Sequence, residues 1–317
     1  MNSTTKPQSR EKPSFLVAVL PALLALACGP SPTPPKAAEP SGMFVFAPQP
    51  GLVFRHQMKQ FEEFAIAGTS FRESEEWRVL WEVQVAEEAD RVLYNRRLVE
   101  LAITVNGKAL LTGNEIESRQ AKITQVMSRD GRVLDVTGTD QLTAALVSVV
   151  PESERAWIAE EFSPANLREL LLARAVDAFE EVVGKPSDVG ATWSATHHFG
   201  ALTAKTMLVD SALGCGSKNC RKLVRTFDVD QQLVADVARA RVADFVTSQG
   251  GDPAAVKVID SNLTVEDFFV VEPETCLFHD ATLSGSGRFV LEGPKGGKIE
   301  LALTSKHESH SEYPVPQ

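Results

Sequence analysis

The sequence predicts an α+β fold in which a large, curved antiparallel sheet packs against a few amphipathic helices. Three observations support this. From Met43 to about Gly138, and again after Gly190, apolar and polar residues alternate with period two, the mark of strands that bury one face. Asn106-Gly107 and Asp130-Gly131 interrupt the alternation with residues that tolerate positive φ, so successive strands turn back as hairpins. Between the two strand-rich stretches, apolar residues recur at helical spacing. Strands, then helices, then strands is the order of an α+β chain.

In the first stretch, Val79, Trp81, Val83 and Val85 alternate with Arg78, Leu80, Glu82 and Gln84. Val99, Leu101, Ile103 and Val105 alternate with Glu100, Ala102, Thr104 and Asn106. The pieces read as a meander. Asp140–Val150 suits a helix that Pro151 stops. Ser163-Pro164 opens a second, with serine as cap and proline in the first turn, where its missing N–H costs nothing; Gly184 and Pro186 end it. Leu167, Leu170, Leu171, Ala175, Ala178, Phe179 and Val182 form its apolar stripe, which should lie on the apolar face of a sheet. Strands resume over Thr192–Phe199, Leu202–Val209 and Arg221–Val229. Asp230–Thr247 reads as a helix with Leu233, Val234, Val237 and Phe245 inward. Val256–Val271, Leu283–Leu291 and Ile299–Thr304 complete the strands, and Gly293–Gly297 turns between the last two.

The start of the chain has another character. Lys6, Arg10 and Lys12 precede FLVAVLPALLALACG, Phe15–Gly29. A basic start and an uncharged run of about a dozen residues describe a secretory signal. The run is well short of the ~20 residues a permanent spanning helix needs. Ala25-Leu26-Ala27-Cys28 resembles the lipobox of bacterial lipoprotein precursors, departing at Ala25, where the family prefers a branched residue. The resemblance implies cleavage before Cys28, lipidation of that cysteine and a chain tethered to the membrane, because two or more acyl chains anchor stably. An ordinary signal peptide cut near Ala27, leaving Cys28 a plain thiol, is the competing reading. Gly29 follows the cysteine where the family's sorting systems place an acidic residue for inner-membrane retention, which implies an outer-membrane lipoprotein of the bacterial envelope.

Pro30–Gly42, PSPTPPKAAEPSG, is a spacer composition that cannot bury enough to fold. The expected division is a leader over 1–27, a linker over 28–42, a globular domain over 43–306 with one sheet or two sheet halves, and a polar tail over 307–317. Roughly 265 residues suffice for a sizeable core. An exported sheet curled around helices also resembles, in architecture and without a shared motif, the half-barrel folds of periplasmic lipoprotein carriers and related lipoproteins.

Charge limits the partners. Taking Lys6, Arg10, Lys12 and Glu11 from 32 basic and 42 acidic residues leaves 29 and 41, a net charge of −12. This argues against nucleic acid or anionic headgroups as general partners, since both need a basic face. Cys215 and Cys220 flank Gly-Ser-Lys-Asn, so a small bridged loop is the simplest pairing; a bridge from either to Cys276 competes. No second cysteine pair or histidine set completes a zinc site.

No enzyme or cofactor motif emerges. His197-His198 would face opposite sides of a strand, and His307-Glu308-Ser309-His310 sits in the expected tail. Cys276 and His279 lack a third group. Gly293–Lys298 lacks the Ser or Thr and the helix of a P-loop. Adjacent acidic pairs such as Glu62-Glu63 and Glu75-Glu76 read as solvated edges. What remains is apolar bulk. Trp77 and Trp81 share a strand face near Phe61, Phe64 and Phe71, and with Leu167, Leu171 and Phe179 they are candidates for a pocket beneath the helices. The expectation is a non-enzymatic binding or interaction module, in its specific form one for a lipid or other hydrophobic molecule. The alternatives are an envelope hydrolase whose site assembles only in the fold, and a structural subunit.

Overall fold

The computed structural model describes residues 42–111, 121–195, 198–199, 202–211, 215, 219–248, 250–293 and 296–313. The leader, most of the linker and Cys28 lie outside these. Six strands come first: β1 (Val53–Ile66), β2 (Arg72–Glu88), β3 (Arg91–Val105), β4 (Lys108–Leu111), β5 (Lys122–Ser128) and β6 (Val133–Thr137). Helices α1 (Thr139–Val149), α2 (Arg155–Glu161) and α3 (Pro164–Phe179) follow. Then come β7 (Thr192–Ser194), β8 (His198–Phe199), β9 (Leu202–Ser211), β10 (Arg221–Val229), α4 (Gln231–Ser248), β11 (Lys257–Val271), β12 (Phe278–Glu292) and β13 (Lys298–Glu312).

All the strands belong to one antiparallel sheet, ordered β6-β5-β3-β2-β1-β13-β12-β11-β10-β9-β7, with β4 beside β3 and β8 beside β9. The two strand-rich stretches are therefore halves of one surface, joined where β1 pairs with β13 from Arg55↔Glu312 to Ile66↔Leu301. The sheet does not close into a barrel, and β6 and β7 are its edges. The β6 edge is covered: Val133 N–H donates to Glu180 Oε1 at 2.9 Å, and Arg168 pairs with Asp135 at 2.9 Å. A covered edge cannot template another strand.

The sheet curls. Phe179 touches both Tyr94 on β3 and Phe278 on β12, with ring centroids 5.9 and 5.3 Å away. Those strands are four steps apart in the sheet, about 19 Å if it were flat. Strands still farther apart, β5 and β9, contribute Met127 and Met207 to the same buried cluster. Phe44, Phe46, Phe179 and Val182 fill that end of the curl. A second, smaller cluster lies toward the other end, where Val234, Ala238, Val242 and Val246 of α4 pack on Phe64, Leu263, Phe289, Leu301 and Leu303.

Local chemistry explains the elements. Asn106 and Gly107 take φ of 50° and 74°, the two-residue turn between β3 and β4. Ser163 Oγ accepts from Asn166 N–H at the start of α3, and Asp230 Oδ1 accepts from Gln232 and Leu233 N–H at the start of α4.

The structure corrects several expectations. Residues 307–312 are not a polar tail: they continue β13, held by β1 on one side and β12 on the other. All six residues of 307–312 are polar, which hid a strand whose inner face, His307, Ser309 and Ser311, is itself polar. Helix α3 ends at Phe179, and Gly184 N–H donates to Phe44 O at 2.8 Å instead of extending the helix. Helix α2 was not foreseen. Leu233 is exposed, because the buried stripe of α4 runs through Val234, Ala238, Val242 and Val246. Glu62 and Glu75 are buried rather than solvated. Phe61 points outward, and Trp77 and Trp81 belong to the larger cluster while Phe64 and Phe71 belong to the smaller. Among the described residues, no helix is long and apolar enough to cross a membrane.

Candidate functional site

Strand β1 shows how the inner face is organised. Its inward residues run Phe54, His56, Met58, Gln60, Glu62, Phe64 and Ile66. Phe54 belongs to the larger cluster, Phe64 and Ile66 to the smaller, and a polar stretch separates them. Register carries that stretch across the sheet in three adjacent rows. Val79, Met58, Ser309 and Ala281 form one. Trp77, Gln60, His307, Leu283 and Asp267 form the next, and Glu75, Glu62, Ser305, Gly285 and Val265 the third. The result is a strip across the floor of the curl in which polar groups on β1 and β13 are set among Val79, Trp77, Ala281, Leu283 and Val265, with the carboxylates Glu75 and Asp267 at two of the row ends.

The strip is also incompletely covered. Met58, Gln60, Trp77, Val79, Val265, Leu283, Gly285, His307 and Ser309 are only partly buried, although they face the inside of the curl. Inward residues nearer either end, such as Val83 and Leu301, are almost fully buried. Ligand sites favour a concave surface of this kind, with a few polar groups set among apolar ones.

The polar groups are arranged by hydrogen bonds. Glu62 and Glu75 are direct cross-strand partners on β1 and β2. Gln60 Nε2 donates to Glu62 Oε1 at 3.0 Å, and the Trp77 indole N–H donates to Glu75 Oε1. The row through His307 ends at an ion pair: Arg225 Nε lies 2.9 Å from Asp267 Oδ2, with Arg225 wholly buried. The guanidinium also sits 4.6 Å from the Phe269 ring centroid, a cation–π contact. Farther up the curl, Arg96 donates to Gln125 Oε1 at 3.0 Å. Burial lowers the Arg96 pKa from its ordinary value and raises that of Tyr94 beside it. Loss of solvent penalises each charged form.

The sequence-predicted pocket residues come together in the larger cluster. Trp81, Leu167 and Phe179 are buried there, Leu171 packs against it, and only Trp77 borders the strip. Trp77 packs on Phe162 at 5.4 Å, which connects the strip to the segment between α2 and α3. Sequence reasoning missed Gln60, Glu62, Glu75, Arg225, Asp267 and His307. A signal was present: Glu62 shares the period-two parity of Phe64, and Glu75 that of Trp77, so each is a carboxylate on a buried face.

The cysteines sort plainly. Cys215 is bonded to Cys220, with Cα atoms 5.9 Å apart, and Cys276 is a free, buried thiol. Burial pushes the Cys276 thiol up to about 12, so it is not a nucleophile at neutral pH. His56 bonds Ser311 Oγ at 2.9 Å, and His310 faces outward onto Asp280 at 2.7 Å. His307 and His310 therefore serve opposite faces. A second, shallow groove lies outside, where Val147 of α1, Arg155 of α2 and Pro164 of α3 meet.

No protein-family model matches this chain, and no curated protein matches it. Among solved structures, lipovitellin, described for its lipid–protein interactions, is similar with a TM-score of 0.47 at 13% identity. That likeness covers 85% of this chain and 26% of lipovitellin, so the chain spans about a quarter of that protein's length. DynF, from the dynemicin biosynthesis pathway of Micromonospora chersina, aligns at 10% identity over 93% of this chain and 96% of its own, with a TM-score of 0.17. A variant of the Rh. blastica porin aligns at 9% identity over 82% of this chain and 100% of its own, with a TM-score of 0.20. None of these likenesses is close enough to say what the chain binds.

Proposed function

We propose that this chain is a lipid-anchored protein of the bacterial envelope that binds an elongated amphipathic molecule along the inner face of its curled sheet. The lipidated cysteine is Cys28, and the support for that anchor is the leader sequence. The observation that carries the binding role is the partly buried strip, in which the apolar residues Met58, Val79 and Leu283 stand beside the polar groups Gln60, His307 and Ser309. An acyl chain would lie along the apolar residues, and a polar headgroup would meet Gln60, His307 and Ser309.

The test is native mass spectrometry with lipid extraction on a Cys28→Ser chain exported to a bacterial periplasm. Leu283→Glu places a charge on the partly buried floor without opening the packed core, whereas Phe179 is too deeply packed to change safely. A co-purifying acyl species, lost in Leu283→Glu while circular dichroism is unchanged, is the expected result. An apo mass with no uptake of offered lipids or fatty acids would refute the reading.

The cross-strand contact of Glu62 with Glu75, one row from His307, favours a second reading, an acid–base hydrolase acting in the same strip. Turnover of ester or glycoside probes that Glu75→Gln abolishes would select it.

A further inference from the structure

A cluster outside the strip lies where the start of β12 meets the Cys215–Cys220 bridge ahead of β10. Register shifts between β11 and β12: Val270 pairs with Asp280 but Val271 with Phe278, leaving His279 as the extra residue of a bulge. Bulges re-aim side chains. Here Phe278 turns into the larger cluster and Asp280 turns outward to His310. His279, between them, lies against Cys215 and Cys220: one ligand atom from each residue falls within 4.8 Å of the others. The Tyr313 ring packs on the imidazole with centroids 4.7 Å apart and helps fix its plane. Cys220 is buried, and Cys215 is only partly buried.

We propose that Cys215, Cys220 and His279 form a redox-gated site for a thiophilic divalent cation such as Zn²⁺, closed while the bridge is intact and available once it is reduced. Two sulfurs and one imidazole nitrogen are the donors such a cation prefers. Around tetrahedral zinc these donors stand about 3.5–3.8 Å apart, so from within 4.8 Å of both sulfurs His279 needs to shift by no more than about 1 Å, while the two sulfurs must separate. Reduction supplies that separation. A dithiol's thiolate attacks the sulfur of Cys215, the less buried of the two cysteines, the S–S bond breaks, and Cys220 leaves as a thiolate. The dithiol's second sulfur then displaces Cys215, and the dithiol departs as a cyclic disulfide, having given two electrons and two protons to the protein. Cation binding releases both thiol protons to solvent and leaves a fourth position open to water or an exchanging ligand. This site is independent of the strip and of any lipid.

The experiment uses the full chain in detergent, either oxidised or reduced with a phosphine that is removed under argon, and titrates it with Co²⁺ as a spectroscopic substitute for zinc. The reduced chain should bind one equivalent, with a thiolate-to-cobalt absorption band that Zn²⁺ abolishes, and the oxidised chain none. His279→Ala should weaken binding at least about tenfold, the lower end of what even outer-shell losses cost. His279→Gln serves if alanine disturbs the fold by circular dichroism. A Cys215→Ser/Cys220→Ser chain should lose the band. Absence of cobalt uptake by the reduced chain overturns the proposal, as does uptake that either the histidine variant or the double cysteine variant leaves unchanged.

Discussion

Replacing Asp267 with alanine should cost more stability than any other single change on the polar part of the sheet. Arg225 is 0% exposed and Asp267 6%, with Nε 2.9 Å from Oδ2. At that distance the attraction is about 6 kcal/mol at an effective dielectric near 20, and desolvation of both ions offsets most of it. Removing the carboxylate takes away the attraction that Asp267 supplies while the guanidinium keeps its desolvation cost. The rings of Phe269 and Phe227, with centroids 4.6 and 5.7 Å away, supply a cation–π attraction that recovers only part of the loss. The expected destabilisation is about 3–5 kcal/mol. In urea, with a slope of about 3 kcal/mol per molar for a domain of this size, the unfolding midpoint should fall by about 1–1.7 M. An Arg225→Met/Asp267→Leu double variant should return to within about 1 kcal/mol of the parent, because no buried charge remains. A loss below about 1 kcal/mol for Asp267→Ala would mean that Arg225 reaches water. A double variant as unstable as the single would mean that packing, not the loss of this ion pair, sets the cost.

Three further outcomes follow from the same packing. Phe179→Ala should lose about 3–5 kcal/mol and Phe179→Leu much less, since the ring fills the curl between Phe46, Tyr94 and Phe278; equal midpoints in urea would show that nothing bears on the ring. The Cys276 thiol, raised from 9.0 to about 12, keeps its proton in the folded state after the unfolded chain has released it. Its contribution is complete below about pH 9 and is lost as pH rises toward about 12, by up to about 1.4 kcal/mol per pH unit. Cys276→Ala should therefore lose stability less steeply over that window, and iodoacetamide at pH 8 should label Cys276 only after unfolding; labelling of the native chain would contradict its burial. Gly138, at φ +84° where an added Cβ would stand 2.3 Å from Lys122 O, should not tolerate alanine. A loss above about 1 kcal/mol in thermal unfolding is expected, and a silent substitution would place the start of α1 elsewhere.

Much of this protein was decided by local sequence. Period-two alternation specified the long strands, Asn106-Gly107 specified a hairpin, and Ser163 and Asp230 specified where α3 and α4 begin, because a turn, a cap or a pleat is settled by residues a few positions apart. The α+β class followed from their order. Parity along a single strand even marked Glu62 and Glu75 as inward, although read pairwise with Glu63 and Glu76 they looked solvated. The site itself required contacts that no local pattern encodes. Gln60 meets His307 because β1 pairs with β13 across most of the chain's length, and Arg225 meets Asp267 because β10 and β11 lie side by side despite the helix between them. The bulge that sets His279 against the Cys215–Cys220 bridge likewise depends on how β11 and β12 slip past one another. Alternation fixes which face a residue occupies, since successive side chains point to opposite sides of the sheet. Which strands then become neighbours depends on closing the whole curl over one core, and only the folded chain decides that.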